Sequence, residues 1–106
     1  MAQAASLKGA NPEERRRMQI LYSGRVQGVG FRHAVRTVAT GFEVTGVVYN
    51  RVDGRVELTA EGTRAELAAF REAIRNAGLA ANIHQEDASW TEPCGGFTGF
   101  AITDRK

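Results

Sequence analysis

The hydrophobic pattern of this chain changes period along its length, and the order of those changes restricts the fold more than composition does. From Gln19 to Val26 side chains alternate, with Ile20, Tyr22, Gly24 and Val26 on one side and Leu21, Ser23 and Arg25 on the other, the period of a strand. Phe31, Val35, Val38 and Phe42 then recur at helical spacing with Ala34 and Ala39 beside them, which predicts an amphipathic helix. Val44 to Asn50 returns to strand composition, and Asp53-Gly54 is a hairpin-turn pair. Arg55 to Glu61 alternates again, with Val56, Leu58 and Ala60 expected inward and Arg55, Glu57, Thr59 and Glu61 outward. Thr63-Arg64-Ala65-Glu66 has the form of a capping box, in which Thr63 caps the helix and Glu66 reaches back. A second apolar stripe follows in Leu67, Phe70, Ile74 and Ala77, closed by Gly78. Ile83 to Trp90 reads as a strand and, after the Pro93-Cys94-Gly95-Gly96 turn, Phe97 to Thr103 reads as a short last one.

Strand–helix–strand–strand–helix–strand with one extra strand is an α+β order. Two helices of similar length can cover one face of an antiparallel sheet. Right-handed crossovers then lead to the split βαββαβ arrangement, a ferredoxin-like sandwich with four to five strands. A chain of 106 residues is one domain. The expected division is a flexible N-terminal tail over residues 1–17 and a folded domain over residues 18–106. A single cysteine, Cys94, leaves no internal disulfide framework and fits a reducing, cytoplasmic setting. No apolar run approaches the ~18–20 residues that span a bilayer, and the N-terminus has no apolar signal region, so a soluble protein without a membrane partner is expected. The net charge of +2 owes part of its excess to Arg15-Arg16-Arg17, expected to be a solvated run, and does not provide the broad basic face of a nucleic-acid binder.

Between the first strand and the first helix lies Gly24-Arg25-Val26-Gln27-Gly28-Val29-Gly30-Phe31-Arg32. Gly28 and Gly30 allow successive peptides to aim their N–H groups inward. Phe31 and Arg32 open a helix whose first turn has unpaired N–H groups and positive potential. Arg32 adds a planar fork suited to two phosphate oxygens. The glycines alone leave a tight turn and a phosphate cradle equally open. No Gly-Lys-Ser/Thr of a Walker loop is present, and His33 stands where a dinucleotide fingerprint needs its third glycine. In the expected topology the third strand runs between the first two, which point the same way. Asn50 and the loop therefore emerge at one sheet edge, about 10 Å apart in backbone at ~4.8 Å per strand spacing.

These segments, GRVQGVGFR, then GVVYNRVDGRVELTAEG, then GGFTGF, closely resemble acylphosphatases over Gln19 to Thr103. The resemblance implies the ferredoxin-like sandwich and hydrolysis of the carboxyl–phosphate bond of acyl phosphates, with no metal and no organic cofactor. It implies a phosphate loop at Gln27, Gly28, Val29, Gly30, Phe31 and Arg32, with Arg32 as the substrate-binding arginine and Asn50 positioning the attacking water. It also implies a small acyl phosphate as partner, phosphate or sulfate as the expected site ligand, and a monomer. Glu43 stands where many members have glycine, and His33 where an aromatic is common. The same loop occurs in a domain of the large hydrogenase-maturation carbamoyltransferases, where cysteine-rich zinc modules follow; this sequence has none.

The remaining chemistry-bearing residues are expected in structural roles. His33, His84 and Cys94 match no zinc spacing, and no activating base is indicated for Cys94. Trp90, Phe70 and Phe97 read as core, and Asp53 and Glu57 as turn and strand surface. A phosphate-binding module without catalysis and a nucleic-acid-binding ferredoxin-like domain are the competing classes. Against the latter, the third strand, RVELTAE, has no aromatic residue for base stacking.

Overall fold

The structure is a computed structural model that describes residues 11–103. Five strands, β1 (Arg15–Gly24), β2 (Thr45–Asn50), β3 (Val56–Thr63), β4 (Ile83–Thr91) and β5 (Phe100–Ile102), form one sheet in the order β4-β1-β3-β2-β5. The helices α1 (Phe31–Ala39) and α2 (Arg64–Arg75) pack on one of its faces. This is the ferredoxin-like α+β sandwich expected from the hydrophobic periods. The sheet is mixed, because β5 runs parallel to β2 while the other pairs are antiparallel. Among the described residues, no helix is long and apolar enough to cross a membrane.

The helix-side core follows from the strand period. Met18, Ile20 and Tyr22 of β1, Val48 of β2, and Val56, Leu58 and Ala60 of β3 are buried against Phe31, Val35 and Ala39 of α1 and Leu67, Phe70 and Ile74 of α2. The alternation in β1 ends at Gly24, where its pairing with β4 shifts register, yet Val26 beyond it is still buried. α1 ends at Ala39, so Phe42 leaves the helical stripe and meets Phe70 from the loop, ring centroids 5.9 Å apart.

The expected tail over residues 1–17 lies outside the described residues at positions 1–10, as do residues 104–106 of the expected domain. Arg15–Arg17 are strand, paired with Glu61–Thr63 of β3. The charge run is not simply solvated: Arg16 pairs with Glu14 at 2.7 Å and Arg17 with Glu61 at 2.8 Å. Thr63 Oγ1 accepts from Glu66 N–H at 3.1 Å, as a capping box requires. The Glu66 carboxylate does not reach back to Thr63; it accepts from Glu43 N–H at 2.7 Å and ties the end of the α1–β2 loop to α2.

The face away from the helices departs most from the expected pattern. Glu57, Thr59 and Glu61 point there, but all three are buried. Glu57 accepts from Gln19 Nε2 at 2.5 Å and from an Arg51 guanidinium N–H at 2.7 Å. Glu61 accepts from Arg17 Nε, Cys94 N–H and Gly95 N–H at 2.8, 2.7 and 3.1 Å. Residues 94–97 are thereby fastened across the sheet, with the Arg17 guanidinium 5.0 Å from the Phe97 ring centroid, and the last strand is confined to Phe100–Ile102. Burial pushes both carboxyls up, but the combined donors outweigh it and hold each below its ordinary value.

A carboxylate with a depressed folded pKa stabilises fully above its unfolded value, 4.5 here, and loses that contribution as pH falls through the folded value. Glu61→Gln is expected to cost about 1.5–3 kcal/mol at pH 7, the range for hydrogen bonds to a charged group. Urea unfolding at pH 7 and pH 3 checks it: the difference from the parent chain should shrink at the lower pH.

Candidate active site

The pairing of three strands places the site. Val56 of β3 has Tyr22 of β1 as its partner on one side and Asn50 of β2 on the other. β1 and β2 are both antiparallel to β3, so they run the same way and end at the same edge, two strand spacings or ~10 Å apart. The segment Arg25–Gly30 leaves β1 at that edge and enters α1.

Two hydrogen-bonded ties hold this loop. At its start, Arg25 N–H donates to Asn82 O at 2.9 Å, and Asn82 Nδ2 donates back to Arg25 O at 3.0 Å. In its middle, Gln27 Nε2 donates to the carbonyls of Arg51 and Arg55 at 2.8 and 2.9 Å. Val26, between the two ties, is buried. The chain then turns outward through Gly28 and Gly30, at φ 77° and 84°, backbone states that glycine adopts without steric cost. A Cβ at either position would meet no atom within 4 Å, so the loop's outer side is open.

The two helix N-termini differ. At α2, Arg64 N–H donates to Glu14 O, Ala65 N–H to Pro12 O and Glu66 N–H to Thr63 Oγ1. Gly30 caps α1 without a side chain, and among the described residues no acceptor serves the N–H groups of Phe31, Arg32 and His33. This end of α1 has the unpaired donors and the positive dipole end that suit an anion. Phe31 turns its ring into the core, edge-on to Tyr22 with centroids 4.9 Å apart, which anchors the first helical turn. Arg32 is half-buried and takes no part in the salt bridges of the described residues, which engage Arg16, Arg17, Arg51, Arg55, Arg71 and Arg75.

Among the described residues, Asn50 Oδ1 is buried and accepts no hydrogen bond. Its alternation with buried Val48 puts the side chain on the helix face, toward the layer that α1 occupies. Tyr22, level with it in the sheet register, likewise has a buried hydroxyl that finds no partner among the described residues, and burial followed by the nearby Glu86 charge pushes its pKa above the usual phenol value. Nothing in the structure accounts for that hydroxyl.

Of the residues expected at the site, Gly28, Val29, Gly30, Phe31, Arg32 and Asn50 fall at one edge, with Val29 exposed on the loop tip. Gln27 is there too, but its side-chain amide is committed to the β2–β3 turn. His33, His84 and Cys94 are exposed and lie apart, and among the described residues no three His, Cys, Asp or Glu side chains gather as a metal-binding set. A cavity of about 570 Å³ opens at the opposite end of the sheet, with Glu13, Glu43, Glu61 and Glu66 against a single cation, Arg15, in its wall, a predominantly acidic lining.

The family model for acylphosphatase matches residues 18–102. The chain belongs to the acylphosphatase family. It is 38% identical over 87 residues to an acylphosphatase of Salinibacter ruber, covering 82% of this chain and 92% of that one. The solved acylphosphatase of Bacillus subtilis is similar at 36% identity and TM-score 0.76, covering 83% of this chain and 98% of that one. Full-length HypF is similar at 26% identity and TM-score 0.72 over 87% of this chain but only 12% of its own length. As a family member, the chain is a hydrolase of the acylphosphatase class.

Gly30→Ala tests the loop geometry without adding a clash. Holding an alanine in the left-handed region costs about 1–2 kcal/mol, so a lower melting temperature and weaker phosphate binding by calorimetry are expected. Binding and melting equal to the parent chain would show that the loop does not need this backbone state.

Proposed function

We propose that this chain hydrolyses small acyl phosphates to carboxylate and inorganic phosphate, with Arg32 and the loop N–H groups holding the phosphate and Asn50 holding the attacking water. The supporting observation is the pairing, at one sheet edge, of an α1 N-terminus without a side-chain cap and a buried Asn50 Oδ1 that no donor among the described residues reaches. The Arg32 guanidinium would bind two phosphate oxygens, and the N–H groups of the first turn would take the charge that builds on the equatorial oxygens. Asn50 Oδ1 would accept from a water aligned opposite the leaving group. An amide is a poor base, so the water's proton passes to a phosphate oxygen as the O–P bond forms and the P–O bond to the acyl group breaks. The departing carboxylate is a stable anion and needs no general acid. Positioning and charge stabilisation therefore suffice for the reaction. The same reading makes the protein a cytoplasmic monomer that takes a small molecule as its partner, with free phosphate or sulfate competing for the cradle.

Purified protein is expected to hydrolyse benzoyl phosphate with a chelator present. Arg32→Ala should lower kcat/KM by about 10³-fold or more and weaken phosphate binding together with it, the scale of losing a charge-stabilising donor. Asn50→Ala should lower kcat by about 10²-fold while phosphate affinity changes by less than about threefold. Normal turnover by the Asn50→Ala protein would remove that residue from the mechanism, and absence of protein-dependent hydrolysis would leave a binding module.

A further inference from the structure

We propose that Gln27 is a positioning residue rather than a phosphate ligand, and that its side chain sets the cradle in register with Asn50. This rests on the function proposed above and concerns how the two halves of the site are held together. The cradle belongs to the β1–α1 connection, whereas Asn50 ends β2 and is followed directly by the β2–β3 turn. Between these segments, the side-chain link is made by Gln27 Nε2. Both of its hydrogens are used, one on Arg51 O at 2.8 Å and one on Arg55 O at 2.9 Å. No side-chain N–H of Gln27 is left to donate to an anion.

The receiving turn is stiff. Arg51 N–H donates to Arg55 O at 2.8 Å, and Gly54 N–H to Arg51 O at 3.2 Å. Asp53 accepts from Arg55 N–H at 3.0 Å and from the guanidinium groups of Arg51 and Arg55 at 3.1 and 2.7 Å. Arg51 is also held by the buried Glu57 at 2.7 Å. The same two carbonyls that close the turn therefore receive Gln27 as second donor, and the loop is docked on the residue next to Asn50.

This arrangement makes a specific division of labour. Arg32 and the α1 N–H groups are local to the loop and helix, so phosphate binding survives loss of the clamp. The alignment of water with phosphorus spans both segments and does not. A misplacement of about 1 Å between reacting groups costs on the order of 10²-fold in rate. Gln27→Met keeps length and removes both donors. It is expected to lower kcat by about tenfold or more while changing phosphate affinity by less than about threefold, a kcat-specific loss. Because Gln27 acts through the placement of Asn50, Gln27→Met in an Asn50→Ala background should lower kcat little further.

The parent chain and Asn50→Ala are assayed alongside, so failure of the acylphosphatase reading appears as inactive parent protein or normal Asn50→Ala turnover. A second measurement does not need turnover. By NMR, the Gln27 side-chain amide protons should exchange with solvent more slowly than those of an exposed glutamine and should keep their chemical shifts when phosphate is added. The clamp is overturned if those protons exchange freely, if they shift as phosphate ligands do, if Gln27→Met weakens phosphate binding as much as it lowers kcat, or if the two substitutions multiply in the double variant.

Discussion

The pairing of β3 between β1 and β2 is the constraint on which the rest of this structure depends. β3 is buried from Val56 through Gly62, with an apolar face against the helices and a carboxylate-bearing face beneath the 94–97 segment. Because both neighbours are antiparallel to it, β1 and β2 end together, and the segments that follow them share one edge. The cradle and Asn50 meet there as a consequence of strand order. In a sheet where β1 and β2 pointed oppositely, the same residues would sit at opposite ends.

A central strand buried on both faces needs partners for its polar side chains, since an isolated buried carboxylate is costly. Glu57 and Glu61 solve this differently. Glu61 gathers Arg17 and two backbone N–H groups, and in doing so pins the segment before β5. Glu57 gathers Gln19 and Arg51 at the end of the sheet where β2 reaches Asn50, and the Tyr49 hydroxyl beside it has its pKa pushed up to about 12 by burial and by contact with that carboxylate. The ion pairs of the face away from the helices thus connect to Asn50 and to the glycine-rich loop through Arg51, which follows Asn50 and whose carbonyl receives Gln27.

Much of this was legible along the chain. The helical stripes ending in buried Phe31, Val35, Leu67, Phe70 and Ile74 follow from spacing alone, because a side chain that recurs every turn must share a face. Gly28 and Gly30 give the loop backbone its freedom to turn, and both lie at positive φ. Other features were not legible, for reasons specific to each. Alternation told that Glu57 and Glu61 face away from the helices but not that both are buried there, since Glu61 is capped by Cys94 and Gly95, more than thirty positions later, and Glu57 is held by Gln19 from another strand and by Arg51 from the preceding turn. Arg15–Arg17 read as a solvated run because strand pairing with Glu61–Thr63 leaves no periodic mark in three like charges. Glu66 matched a capping box, yet its carboxylate serves the Glu43 N–H brought near only by packing.

By itself, the sequence determined which segments become strands and helices, which sides of them are apolar, and that a glycine-rich loop with an arginine opens α1. Those properties depend on neighbours within a turn or two, where spacing and side-chain type act directly. Only the tertiary structure decided what each polar side chain does. Gln27 lies in a phosphate loop by sequence, but its amide is spent on two carbonyls of a distant turn. Asn50 is one strand-end residue among several, and its Oδ1 stands out only because it is buried and no donor among the described residues reaches it. Hydrogen bonds are short-ranged and directional, so their partners are set by the positions of segments far apart in the chain, which no local pattern records.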